Sequence, residues 1–273
     1  MSNSKNKNYL DDSHGNRETW EEIIKTEIKY GLYKDPDRCS EQLYEDMKKF
    51  IEKQKDKYKI SVDKKEIENN PYKIVLKNLE SKCTIDYIGP SRKQRYKCIY
   101  FEEKDQSEKE YEIIEILKET RVLGGHIFWP VKTKTKEKIK SINQYKGTFK
   151  DRIDIILHLI REYYEKEKKL KKNKESEYAD KILENNKEFF DLFGNELDGF
   201  KKFIEFNCLE GFVDVENEYK VYNLFESNLK DNKYLDGYSN SNEEDYNDNW
   251  EIYKVNMLYL IHHRNKKMWD IIK

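Results

Sequence analysis

The sequence predicts an α+β fold, with helices near the amino end, a strand-rich middle over about residues 57–131, and a mainly helical carboxyl half. Two observations support this. Apolar residues recur at helix spacing before and after the middle segment. Within it, short runs rich in Ile, Val and Tyr are separated by Asn-Asn-Pro, Gly-Pro-Ser and charged turns. We therefore expect a disordered polar tail, residues 1–16, followed by a single α+β domain over residues 17–273.

The elements of the amino half follow from local patterns. Apolar residues between Trp20 and Leu32 predict one helix, and Ser40 is the predicted N-cap of a second helix that runs to about Gln54. The strand predictions are YKISV (58–62), YKIVLKNL (72–79), CTIDYIG (83–89), YKCIYFEE (96–103), YEIIEIL (111–117) and RVLGGHIFWPV (121–131).

The carboxyl half is dominated by helical patterns. In DRIDIILHLIREYYEK (151–166) an apolar stripe predicts an amphipathic helix, and a lysine-rich linker follows it. The segment KTKTKEKIK (132–140) has the pattern of an exposed hairpin tip. Further helices are predicted in ILENNKEFFDLFG (182–194), FKKFIEFNCLEGFV (200–213) and WEIYKVNMLYLIHHRNKKMWDII (250–272).

Composition favours a folded protein without a general affinity for polyanions. Hydrophobic residues make up 36% of the chain, but 21 Tyr, 12 Phe and 4 Trp supply large surfaces for burial. The net charge is −1, from 53 basic and 54 acidic residues, so no global field attracts nucleic acid or an anionic membrane.

Cysteine usage and hydropathy indicate a cytoplasmic protein. The four cysteines lie far apart without a CxxC pair, which is typical of reduced, mostly buried thiols. The amino terminus lacks the apolar core of a signal peptide, and no run approaches the ~20 apolar residues that span a bilayer. We expect no membrane association. The cysteines are Cys39, Cys83, Cys98 and Cys208.

Standard signatures of catalysis are missing. The chain has no GxxxxGK[ST], GxGxxG, HExxH or GxSxG, and its five histidines show no metal-ligand spacing, so we expect no metal site and can name no cofactor.

The unusual feature is Gly124-Gly125-His126 inside the apolar run 121–131. Glycine in a strand marks a bulge, a close backbone approach or space for a ligand. His126 is then either a core residue or a residue beside a ligand, together with Arg121.

Further polar residues follow along the chain. Asn143 and Lys146 lie in the loop-like SINQYKG, and Arg152, Asp154 and Arg161 lie on the predicted helix. These side chains suit recognition of a phosphate or ribose and acid–base chemistry. The alternative is a helix whose polar face carries ordinary ion pairs.

Two functions are therefore open. The first is an enzyme acting on a nucleotide or nucleic acid, as in toxins or phage-defence effectors. The order of a strand with an arginine, a polar loop and a helix resembles the NAD-binding half of ADP-ribosyltransferase toxins. Asp154 or His126 would be the catalytic base, and substrate would be held by Arg121, Gly124, Gly125, Asn143, Lys146, Arg152 and Arg161. The second is a non-catalytic module that binds a protein or nucleic acid and whose polar cluster is structural.

Several short strings resemble a broadly distributed bacterial family of unknown function over roughly residues 33–270. Members of that family carry a "TIGG" strand ending in Phe-Pro, "TIN-x-ARG", "DRFDLTLECIRRHY" and a terminal "RN". The resemblance implies that the site lies among these strings, without supplying a reaction. Lys146 replaces the arginine of the family loop, and Leu157-His158-Leu159 replaces "LEC". The matching strings are Asp-Pro-Asp (35–37), Gly-Gly-His-Ile-Phe-Trp-Pro (124–130), Ser-Ile-Asn-Gln (141–144), Asp-Arg-Ile-Asp (151–154), Ile-Arg-Glu-Tyr-Tyr (160–164), Phe-Phe-Asp-Leu-Phe-Gly (189–194) and Arg-Asn (264–265).

Overall fold

The computed structural model has an α+β architecture, which confirms the predicted fold class. It contains eight α-helices and two short antiparallel strand pairs in the part of the chain that it describes. The residues described are 25, 29, 40–63, 71–90, 95, 105–131, 152–165, 174–227, 229, 233–235 and 245–273. The predicted tail, the strand prediction at 96–103 and the hairpin at 132–140 lie outside these ranges.

The helices fall into one amino-terminal pair, one central helix and a carboxyl-terminal group. Ser40 is the N-cap of the first, because its Oγ accepts a hydrogen bond from the Leu43 amide at 3.2 Å, as predicted. The helices are α1 (Glu41–Lys53), α2 (Lys55–Tyr58), α3 (Gln106–Thr120), α4 (Ile153–Tyr164), α5 (Lys174–Asn185), α6 (Lys187–Phe190), α7 (Glu196–Phe206) and α8 (Asp245–Ile272).

The larger strand pair joins β1 (Lys82–Tyr87) to β2 (His126–Val131) in antiparallel register. Isolated bridges extend this layer on one side, where Ile74 pairs with Cys83 and Leu76 pairs with Val62. The runs 58–62 and 72–79 thus contribute single bridges rather than full strands. A second pair joins β3 (Val213–Asp214) to β4 (Lys220–Val221).

Phenylalanine and tryptophan rings from β2, α6 and α7 form the centre of the core. Trp129 on β2 stacks on Phe203 of α7, with ring centroids 5.9 Å apart. Phe128, the preceding residue, packs edge-on against Phe189 of α6. Because these rings are fully or almost fully buried, the aromatic residues compensate for the low apolar fraction of the chain.

The strand prediction for residues 111–117 is wrong, because these residues lie within α3. Asp105 caps this helix and accepts a hydrogen bond from the Glu108 amide at 2.9 Å. The apolar run YEIIEIL fits both periodicities, but an acidic residue followed three positions later by Glu is a helix-start signal. The four apolar side chains Ile113, Ile114, Ile116 and Leu117 are buried, and Glu115 between them is exposed.

The prediction that Gly124 and Gly125 lie inside a strand is also wrong. Leu123–Gly125 form a single 3₁₀ turn that connects α3 to β2, and the strand begins at His126. The helix predicted at 151–166 is confirmed as α4, and α7 and α8 confirm the helices predicted at 200–213 and 250–272. The helix predicted at 182–194 is divided between the end of α5 and α6, and α5 begins at Lys174, inside the segment predicted as a lysine-rich linker. Among the described residues, no helix is long and apolar enough to cross a membrane.

Candidate functional site

The space left by the two glycines is filled by the backbone of neighbouring segments. A Cβ atom on Gly125 would lie 1.7 Å from the carbonyl oxygen of Thr120 at the end of α3. A Cβ on Gly124 would lie 2.4 Å from the backbone nitrogen of Asn265 on α8 and 2.5 Å from its Cα. Since neither contact is sterically possible, glycine is required here for close approach of α3, β2 and α8.

Arg264 and Asn265 of α8 hold this turn with side-chain hydrogen bonds. The Gly124 amide donates to Asn265 Oδ1 at 3.0 Å. Arg264 Nη1 donates to the carbonyl oxygen of His126 at 2.7 Å and also to that of Gly124. Arg264 Nε donates to the carbonyl of Asn207, at the end of α7, at 2.8 Å. One guanidinium therefore joins three segments that are distant in sequence.

The Arg264 guanidinium is buried without a carboxylate. Its side chain is 3% exposed, and no ion pair with it occurs among the described residues. Burial lowers the pKa of Arg264 to about 10. The group nevertheless stays cationic at neutral pH, because that pKa is still well above 7, and charge-assisted hydrogen bonds to carbonyl oxygens offset part of its desolvation.

His126 lies in the same cluster and is fully buried. Its Nδ1 is 2.7 Å from the carbonyl oxygen of Val122, an arrangement that places the proton on Nδ1. Its ring centroid is 5.5 Å from that of Tyr87 on β1. The segment from Gly124 to His126 is therefore held by Arg264 and Asn265 of α8.

A second buried cluster surrounds Asp154 at the start of α4. Arg152 binds this carboxylate in a bidentate manner, with Nε 3.0 Å from Oδ1 and Nη2 in contact with Oδ2. The Leu224 amide donates to Oδ2 at 3.1 Å. Both carboxylate oxygens of Asp154 thus accept hydrogen bonds from the chain itself, and its side chain has no exposed surface.

The Arg152 guanidinium is also enclosed by the segment after β4. Its Nη2 donates to Asn223 Oδ1 at 3.0 Å. The Phe225 ring centroid lies 3.9 Å from the guanidinium carbon, a cation–π contact. This cluster fastens the amino end of α4 to residues 223–225, whose contribution sequence patterns did not indicate.

Arg161 makes its hydrogen bonds outside these two clusters. Arg161 pairs with Glu165 at 2.9 Å, with both side chains half-buried, and it donates to the Glu218 carbonyl at 3.4 Å. Arg121 is half-buried at the carboxyl end of α3. Asn143 and Lys146 lie outside the described residues. The catalytic and substrate-binding assignments therefore stay predictions.

The thiols of the two described cysteines are not activated as nucleophiles. Cys83 and Cys208 are free and buried, and burial raises the pKa of both thiols, that of Cys208 to about 11. Both thiols are therefore protonated and unreactive at neutral pH. No group of His, Cys, Asp and Glu suited to a metal ion is found within the described ranges.

Comparison with known protein families identifies a related family. A model described as a family of unknown function (DUF6994) matches residues 23–268. No curated protein and no solved structure matches the chain.

The close approach at Gly124 makes a testable prediction. Gly124→Ala places a methyl group against the Asn265 backbone, so we expect a loss of at least about 2 kcal/mol in the free energy of unfolding, measured by urea denaturation. The control is Gly211→Ala, whose Cβ meets only the end of the Leu260 side chain at 2.9 Å and should cost less. Equal stability of Gly124→Ala and wild type would mean that this space is not filled by backbone in solution.

Proposed function

The chain belongs to the DUF6994 family of unknown function, and we propose that it is a non-catalytic protein-binding module whose buried polar residues hold the fold together. One observation carries the proposal: both oxygens of Asp154 and the space beside Gly124 and Gly125 are occupied by groups of the chain itself. We also infer that this family is the bacterial one whose "TIGG" and "RN" strings resemble residues 124–125 and 264–265.

A general base must have a lone pair within hydrogen-bond distance of a substrate proton. Asp154 lacks exposed surface, and its oxygens accept from Arg152 Nε, Arg152 Nη2 and the Leu224 amide. Substrate access would require that the ion pair separate from residues 223–225. The same contacts give Asp154 a structural role, because they fix the start of α4.

A protein partner fits the exposed surface better than a nucleic acid does. The most exposed large apolar residues include Tyr111 on α3 and Val255 and Tyr259 on α8. Tyrosine is common at the centres of protein interfaces. Glu108 and Glu115, which lie on α3 with Tyr111, repel phosphate, and the overall charge of −1 provides no compensating attraction. The free thiols Cys83 and Cys208 fit the proposed cytoplasmic location, where cysteines stay reduced.

The enzyme hypothesis stays a prediction with its own requirement. It needs Asn143 and Lys146, which lie outside the described residues, to form a nucleotide site with Arg121 and Arg161. A toxin or phage-defence activity would depend on that site. Nucleotide binding is therefore the property that separates the two functions.

The structural role of Asp154 predicts a large stability effect. Asp154→Asn leaves the buried Arg152 charge without its carboxylate, so we expect a loss of about 3–5 kcal/mol in the free energy of unfolding. The control is Asp191→Asn, which removes an exposed ion pair with Lys187 and should cost about 1 kcal/mol or less. A stable Asp154→Asn protein would contradict the structural role.

Thermal unfolding with nucleotides tests the function itself. A ligand that binds the native state raises its melting temperature, so the proposal predicts no shift with NAD, ADP-ribose, ATP or a short single-stranded RNA at millimolar concentration. A saturable shift that Asn143→Ala and Lys146→Ala abolish would overturn the proposed function in favour of the nucleotide enzyme.

A further inference from the structure

Helices α3 and α8 lie side by side and form a surface groove. They run in the same direction, since Glu112 of α3 is bonded to Lys254 of α8, and Gly124 just beyond α3 is bonded to Asn265. The groove has a volume of about 680 Å³. We call it the α3–α8 groove, and it is lined by Ser107, Glu108, Tyr111, Glu112, Glu115, Ile116, Glu119, Lys254 and Leu258.

One wall of the groove is strongly acidic. Four of the five glutamates of α3 lie at spacings of four, three and four residues, which places them on one face over roughly 16 Å of helix. Glu112 is neutralised by Lys254 at 2.5 Å. Within the described part of the chain no cation pairs with the other three, which are Glu108, Glu115 and Glu119. The wall therefore presents uncompensated negative charge at helical spacing.

The groove also exposes apolar side chains to solvent. On the lining, Tyr111 is 63% exposed. Val255 and Tyr259, 59% and 58% exposed, follow the lining residues Lys254 and Leu258 along α8 and are not part of the lining. Tyr111 donates its hydroxyl hydrogen to Glu115 at 2.6 Å, which holds its ring along the α3 wall. Leu258, on the lining itself, is half-buried. Apolar side chains beside a row of carboxylates favour a ligand that is both apolar and basic.

We propose that the α3–α8 groove binds an amphipathic α-helix of a partner protein, rich in lysine or arginine. This inference rests on the proposed function and names the partner's chemistry. The apolar stripe of such a helix packs against Tyr111 and Leu258, as in other helix-in-groove complexes. Its cations lie opposite Glu108, Glu115 and Glu119, where they pair at the same helical repeat. Charge complementarity selects this occupant, because the row of carboxylates repels an acidic peptide or a nucleic acid.

The binding test uses a synthetic peptide as the probe. A fluorescein-labelled amphipathic helix of about 18 residues, roughly five turns, carries a leucine stripe and an adjacent lysine stripe. Fluorescence anisotropy should show saturable binding that weakens as salt is raised, since salt screens exposed charges. The same peptide with glutamate in place of lysine should bind about tenfold more weakly or worse. Equal binding of both peptides would overturn the electrostatic part of the proposal.

Two double variants locate the binding site. Glu115→Lys/Glu119→Lys reverses part of the groove wall and should weaken binding by about tenfold or more. Glu80→Lys/Glu216→Lys produces the same change in net charge at exposed positions outside the groove lining, and it should bind like the wild type. Tyr111→Ser removes apolar surface from the groove lining and should weaken binding without changing its salt dependence. Circular dichroism verifies that each variant is folded.

The outcomes separate this inference from the proposed function. Peptide binding that is the same in both double variants overturns the groove as the site and leaves the binding-module function standing. A wild-type dimer that Glu115→Lys/Glu119→Lys dissociates, seen by sedimentation, overturns the partner assignment in favour of a second copy of the chain. A nucleotide-induced rise in melting temperature overturns the proposed function whatever the peptide does.

Discussion

The buried guanidinium of Arg264 is the interaction on which the arrangement of the described elements depends. Its two bonded nitrogens satisfy the carbonyls of Gly124, His126 and Asn207, which belong to the α3–β2 turn, strand β2 and the end of α7. A buried carbonyl without a donor costs free energy, so a single side chain from α8 removes three such costs. Gly124 is the counterpart of this contact, because only glycine at this position lets α8 approach closely enough.

The two polar clusters orient different helices. The Arg264 cluster fixes α8 against the sheet, and the Arg152–Asp154 pair fixes α4 against residues 223–225. Between them lies the aromatic core of β2, α6 and α7, which supplies apolar burial but little direction. Hydrogen bonds to backbone groups have strict geometry, and they therefore select one packing of these helices. This division explains why the most unusual polar residues of the chain are also among its least exposed.

Sequence reasoning succeeded where the signal was local. The residues that predict the Ser40 cap, the apolar stripe of α4 and the carboxyl-terminal helices lie within one or two helical turns of each other. It failed at residues 111–117, where the isoleucines predicted a strand and the helix-start signal of Asp105 and Glu108 lies before the apolar run. The purpose of Gly124 could not be found locally, because the atoms that fill its space belong to Asn265, 141 positions away. The location of unusual chemistry was thus predictable, but the partners of each group were not.

The stability of Arg264→Lys tests this account most directly. Lysine keeps the positive charge and much of the length, but its single ammonium cannot reach carbonyls in the directions served by Nε and Nη1. The account predicts a loss of about 2–4 kcal/mol in the free energy of unfolding by urea, with an unchanged denaturant slope, because buried carbonyls lose their donors. An Arg264→Lys protein as stable as the wild type would contradict the claim that these buried polar residues exist to hold the fold.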